Sequence, residues 1–180
     1  MTKLTITGAS GVGKTTLAKQ LAADLNLPMV PELAREICTQ MGYERIGMIP
    51  DQEGFKRQVL EAQFDAERKH PSFIADRSAI DAWVLWQRWN ICSAMTYDSE
   101  SFYEKVLEHS KTYSHIVYIP PMIEPEEDEF RWTEPDYIKQ IDRYTRMTLF
   151  DLKLWDKVLT VKADTPEQRV AEVKAWLSMP

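Results

Sequence analysis

Residues 8 to 15 read GASGVGKT, between the apolar run KLTIT and the helical pattern TLAKQLAADL. Gly8, Gly13, Lys14 and Thr15 satisfy the pattern Gly-x-x-x-x-Gly-Lys-Ser/Thr in the context it needs, a strand before and a helix after. Glycines let the backbone curl so that successive N–H groups point inward at an anion, and the helix start adds a favourable dipole. The segment Gly8, Ser10, Gly11, Val12, Gly13, Lys14, Thr15 and Thr16 is therefore expected to cradle a phosphate chain. A dinucleotide-binding turn fits worse, because Thr16 stands where that motif carries its third glycine.

A strand feeding a helix through such a loop restricts the fold to an α/β class. Five short apolar or β-branched runs alternate with helical patterns: 3–8, 27–32, 72–77, 115–120 and 157–163. Strands alternating with helices imply a parallel sheet covered on both faces. Leu17, Leu21 and Leu25, with Ala18 and Ala22, form one apolar face of the first helix. Further helices are expected over 33–42, 51–69 and 136–155, and one long pattern runs from Ala79 to about Met95. Ser101 with Glu104 reads as a capping box opening another helix, and Thr165, Pro166 and Gln168 as a second. At 180 residues the whole chain, 1–180, is expected to form a single domain.

The charge balance narrows the partners. A net charge of −6 weakens any reading as a general nucleic-acid binder. No apolar run reaches the roughly 20 residues of a membrane span, and the N-terminus lacks signal-peptide anatomy, so a cytoplasmic location is expected. Cys38 and Cys92 and the three histidines show no metal-ligand spacing.

Four further features carry chemistry. The run FIADRS ends a strand in Asp76, where a carboxylate can hold Mg²⁺ together with the Thr15 hydroxyl. Arg77 follows, where motor ATPases commonly place a water-polarising glutamate, and a cation there suits anchoring phosphate or an acceptor. A strand-end salt bridge is the plainer explanation of that pair. In VPELARE, Glu32 closes the second strand and is placed to take a proton from an acceptor hydroxyl, with Arg35 one turn on to orient it; a helix-start carboxylate is the rival. The segment 120–135 carries four prolines and six acidic residues, longer than ordinary connections, and reads as a lid bearing Arg131, with Arg143 and Arg146 behind it. Trp83, Trp86 and Trp89 recur every three residues, a stripe more often core than platform. Trp83 is the one placed to stack on a base, with Asp81 beside it for sugar hydroxyls. No Asn-Lys-x-Asp segment marks guanine reading.

The order of phosphate loop, Pro-Glu-x-x-Arg (Glu32, Arg35), Asp-Arg (Asp76, Arg77) and Asp-x-x-Arg (Asp128, Arg131) resembles the AAA_28-type P-loop kinase group. That group includes the nicotinamide riboside kinase domain of bifunctional NAD-synthesis regulators. The chain is similar, more distantly, to thymidylate and deoxynucleoside kinases. The resemblance implies a P-loop NTPase three-layer sandwich with a five-stranded parallel sheet of order 2-3-1-4-5, a lid after strand four, and a loop at Lys162 to Thr165 bordering the adenine. It also supports Glu32 or Asp76 as the carboxylate facing the acceptor hydroxyl. One departure is Asp-Glu-Phe-Arg in the lid, where a glycine-bearing turn belongs.

The expectation is an ATP- and Mg²⁺-dependent kinase acting on a nucleoside-like small molecule, with GTP open as donor and a homodimer open as assembly. Lys14, Glu32, Asp76, Arg77 and Arg131 are the catalytic candidates, Thr15 and Asp76 the metal ligands, and Glu32, Arg35, Arg77, Asp81 and Trp83 the acceptor site. The rivals are a nucleoside monophosphate kinase and a P-loop ATPase or switch with a protein partner.

Overall fold

A computed structural model describes residues 1–121 and 134–179. Strand β1 (Lys3–Thr7) runs into the glycine loop, and helix α1 (Lys14–Leu25) follows. After β2 (Met29–Val30) come α2 (Leu33–Gln40) and α3 (Gln52–Arg68), then β3 (Phe73–Asp76), α4 (Ala79–Trp89) and α5 (Thr96–Ser110). Strand β4 (His115–Tyr118) precedes α6 (Pro135–Asp151), and β5 (Val158–Thr160) precedes α7 (Pro166–Leu177). The strands lie parallel in the order β2-β3-β1-β4-β5. That is the order the family resemblance implies.

Side chains alternate across a strand, so each central strand feeds two cores. Leu4 and Ile6 of β1 join Leu17, Ala18 and Leu21 of α1 and Val173 of α7 on one face. Phe73 and Ala75 of β3 join Leu60, Ile80, Trp83, Trp86 and Phe102 on the other. Burial on both faces explains why the central strands read as nearly continuous apolar runs. The register sets Ile6 opposite Asp76, which brings the glycine loop and the β3 terminus to one sheet edge.

Three expectations change. The second strand is only Met29–Val30, so Glu32 does not close it; Pro31 has no N–H to extend a ladder, and Glu32 is the N-cap of α2. The long pattern from Ala79 to Met95 is a helix that ends at Trp89, with the Asn90 N–H bonded to Trp86 O at 2.8 Å. The Ser101–Glu104 pair is no cap, because α5 already begins at Thr96. Packing accounts for the earlier start: Trp86 Nε1 donates to Ser99 Oγ at 3.0 Å, and its ring stacks on Phe102 at 4.3 Å. By contrast, Thr165 caps α7 as expected, accepting from Gln168 N. Among the described residues no helix is long and apolar enough to cross a membrane.

Candidate active site

The glycine loop ends in Gly13, which caps α1 in the left-handed conformation (φ 92°) and offers no side chain to the helix start. The first amides of α1 thus have no side-chain acceptor and are open to a bound anion. Gly8 is needed for a second reason. Its φ is 145°, and a Cβ there would stand 2.5 Å from the Ile119 carbonyl oxygen. No other residue can occupy that point without moving the chain just after β4.

Lys14 is buried and donates to the carbonyls of Gly8 and Ala9 at 2.9 and 2.5 Å. Its ammonium is therefore tethered by the loop it serves. Burial brings its pKa down to about 7, with the Arg77 charge pushing the same way against Asp81, Glu32 and Asp76. Thr15 Oγ1 donates to Asp76 Oδ2 at 2.6 Å, joining the start of α1 to the end of β3.

The other Asp76 oxygen, Oδ1, is buried without a hydrogen-bond partner among the described residues. An unpaired buried carboxylate oxygen is costly, and a cation beside Thr15 would satisfy it. Among the described residues no three acidic, histidine or cysteine side chains converge as a closed metal cage. The donor set suits Mg²⁺, which commonly takes one or two protein ligands and completes its shell with nucleotide phosphates and water.

Arg77 follows β3 with φ 84°, an uncommon conformation for a residue with a Cβ. Two main-chain contacts hold it there: Arg77 N donates to Ile6 O at 3.1 Å, and its carbonyl accepts from Thr5 Oγ1 at 2.9 Å. The guanidinium reaches the start of α2, where Nε donates to Glu32 Oε1 at 2.6 Å. Arg35 approaches the other Glu32 oxygen at 3.5 Å. Burial opposes ionisation of Glu32, but Arg77, Lys14 and Arg35 outweigh it and hold the carboxyl at about 2. Burial likewise opposes the Arg77 charge, yet Glu32 and Asp81 keep its pKa above the ordinary value.

Asp81 lies beneath this layer, 5% exposed. Its carboxylate accepts from Ser78 Oγ at 2.8 Å and, at 3.5 Å, from the Gly8 amide, and lies 3.6 Å from Arg77. Burial pushes its pKa up. The geometry makes Asp81 a brace between the glycine loop and α4. Trp83 is almost buried and packs against Phe102 and Tyr103, while Trp86 is wholly in the core. Arg143 is exposed, and Arg146 pairs with Asp142 at 3.1 Å on the same helix. Arg131 and Asp128 lie outside the described residues, as does most of the expected lid.

Lys14, Thr15, Glu32, Asp76 and Arg77 thus meet at one sheet edge, the carboxyl ends of parallel strands where open α/β sheets bind ligands. Sequence reasoning passed over three supports of that edge: Ser78, Tyr113, whose hydroxyl accepts from Ala79 N at 3.1 Å, and Arg169. Ser78 carries a signal, a serine directly before the helical pattern that begins at Ala79, whereas Tyr113 and Arg169 belong to no spaced motif.

The family model described as AAA domain, AAA_28, matches residues 3–169. A crystal structure of NadR protein in complex with NR shares 21% identity and a TM-score of 0.78 over 99% of this chain and 52% of that one. Deoxyadenosine kinase from M. mycoides, with products dCMP and dCDP bound, shares 12% identity and a TM-score of 0.70 over 97% and 98%. Shikimate kinase from Aquifex aeolicus shares 20% identity and a TM-score of 0.62 over 97% and 95%. The chain spans about half the length of the NadR structure it matches. No curated protein matches the sequence.

Proposed function

This chain belongs to the AAA_28 family of AAA domains, and from that membership and its site we propose that it is an ATP- and Mg²⁺-dependent kinase for a nucleoside-like small molecule. The observation that carries the reading is the Glu32–Arg77 pair, close enough to Lys14 for each charge to act on its ammonium and next in the chain to Asp76. A carboxylate there can take a proton from an acceptor hydroxyl, and the position after Asp76, where motor ATPases commonly carry a water-polarising glutamate, is Arg77.

In this reading the glycine-loop amides and Lys14 bind the β- and γ-phosphates, Lys14 exchanging its Gly8 and Ala9 carbonyls for phosphate oxygens. Mg²⁺, when bound by Thr15 and Asp76, supplies neutralisation of phosphate charge. Glu32 orients the acceptor hydroxyl in line with the γ-phosphorus. The acceptor oxygen forms its bond to phosphorus as the bond to the β-phosphate oxygen breaks, and the hydroxyl proton passes to Glu32 and then to solvent. A carboxyl held at about 2 is a weak base, so the proton moves late, which suits a loose phosphoryl transition state. Arg77 stabilises the transferring group, Arg35 orients the acceptor, and Arg131 is assigned the same transition-state charge from sequence alone.

The neighbours add weight in one respect. A protein solved in complex with NR, a deoxyadenosine kinase and a shikimate kinase share this fold, which supports a small-molecule acceptor.

The test is ADP release from Mg-ATP with a panel of nucleosides, nicotinamide riboside and nucleoside monophosphates, using Lys14→Ala as the blank. Stimulation by a nucleoside supports the proposal. Stimulation by monophosphates alone favours a nucleotide kinase, and turnover indifferent to every acceptor favours an ATPase or switch.

A further inference from the structure

Helix α7 lies against α1 and the glycine loop through Val173 and its neighbours, and it carries one charged residue into that buried contact. Arg169 is 5% exposed. Its NH1 donates to the Val12 carbonyl at 2.7 Å, and its Nε donates to the Ala163 carbonyl at 2.9 Å. Val12 is in the phosphate loop, and Ala163 is in the segment between β5 and α7. One planar guanidinium therefore spans two loops that are 151 residues apart in the chain (163 − 12).

The consequence follows from peptide geometry. The Val12 carbonyl and the Gly13 N–H belong to one trans peptide plane and point in opposite directions. A carbonyl drawn toward α7 by Arg169 leaves the Gly13 N–H facing the other way, away from α7. The Gly13 carbonyl, one bond further, accepts from Leu17 N at 3.1 Å and starts α1. Gly13 is also hemmed from the α7 side, because a Cβ there would lie 3.0 Å from Arg169 NH1. The loop is soft, with positive φ at Gly8, Gly11 and Gly13, so an external anchor decides which way its peptides turn.

The second anchor is on the same helix. Glu172 accepts from the amides of Lys162 and Ala163 at 3.1 to 3.2 Å. Arg169 and Glu172 thus hold the carbonyl and the amides of one short segment, three residues apart on one helix face.

We infer that Arg169 is a positioning residue for phosphate binding: through the Val12 carbonyl it sets the Gly13 amide toward the phosphate, and through Ala163 it locks the loop after β5 to the same frame. Lysine cannot replace it, since a single ammonium lacks the fork that reaches two carbonyls in fixed directions. The inference rests on the reading of the glycine loop as a phosphate site, and its test separates the two.

Binding of ATP and of inorganic tripolyphosphate is measured by calorimetry for the wild type, Arg169→Lys, Arg169→Met and Glu172→Gln, alongside their unliganded melting temperatures. Tripolyphosphate touches only the phosphate cradle. The expected result is a loss of about 10- to 100-fold for both ligands in Arg169→Met, the size of a lost charge-assisted hydrogen bond. Arg169→Lys recovers part of it, and Glu172→Gln weakens ATP more than tripolyphosphate. Equal affinity of Arg169→Met and wild type for tripolyphosphate overturns the inference, as does a loss of affinity only in variants that have already unfolded. A wild type that binds neither ligand overturns the phosphate-site reading, and this inference with it.

Discussion

Arg77 Nε and Glu32 Oε1 stand 2.6 Å apart, bridging the residue after β3 and the N-cap of α2. The carboxyl is held at about 2 by this contact, against its own burial. Glu32→Gln keeps the shape and removes the charge. Nucleotide affinity is expected to stay within about threefold while phosphoryl transfer falls by roughly 10²–10⁴. Steady-state kinetics with a titration of ATP binding checks this, and undiminished transfer would remove Glu32 from the mechanism.

The same pair governs acid stability. A carboxyl whose folded pKa is depressed contributes stability that is fully present above its unfolded value of 4.5 and is lost as pH falls through about 2. Melting temperature followed from pH 5 to pH 2 should therefore drop more steeply for the wild type than for Glu32→Gln. Parallel curves would mean that the pair has no net effect on stability.

Lys14 gives a pH effect of opposite kind. In the free protein its pKa is about 7, yet the phosphate-bound form needs the charged ammonium. Binding at pH 7 is accordingly expected to take up about half a proton, and ATP affinity to weaken roughly tenfold between pH 7 and 8.5. Calorimetry in buffers of different ionisation enthalpy measures both. A flat affinity with no proton uptake would contradict the assignment.

Asp76 Oδ1 has no hydrogen-bond partner among the described residues, while Oδ2 is held by Thr15. Asp76→Asn is expected to leave metal-free nucleotide binding within a few-fold and to lower turnover at saturating Mg²⁺ by about 10² or more. Turnover that keeps the wild-type Mg²⁺ dependence would place the cation elsewhere.

Gly8→Ala probes the frame that the site hangs on. The added Cβ meets a backbone carbonyl at 2.5 Å and sits at φ 145°. Strain of this kind costs about 2–3 kcal/mol, which lowers Tm by roughly 5–10 °C in a chain of this size. A thermal melt reads it directly.

The parts legible in the sequence are those set by local patterns. The glycine loop, the α1 apolar face, the Thr165 cap and the alternation of strands and helices each depend on neighbours in the chain. The strand order came from family resemblance, since neither periodicity nor spacing encodes which strands pair. The boundary between α4 and α5 was hidden because it is decided by Trp86 packing on Phe102 and bonding to Ser99. Glu32 was legible as a carboxylate at the crevice, but its pairing with Arg77 depends on the left-handed turn at position 77, which arginine does not advertise. Asp81 shows the same limit from the other side. A carboxylate in the first turn of α4 reads as a ligand group, and its contacts with Gly8, Ser78 and Arg77 are tertiary ones that no chain-local pattern encodes.

The central claim is that the γ-phosphoryl goes to an acceptor oxygen and not to water. The most direct measurement follows the label from γ-labelled ATP with Mg²⁺, wild-type protein and the nucleoside that best stimulates ADP release. The account predicts label on the acceptor in near-equal amount to ADP formed, with little inorganic phosphate, and loss of that transfer in Lys14→Ala. Label released as inorganic phosphate at the same rate with or without acceptor would contradict it.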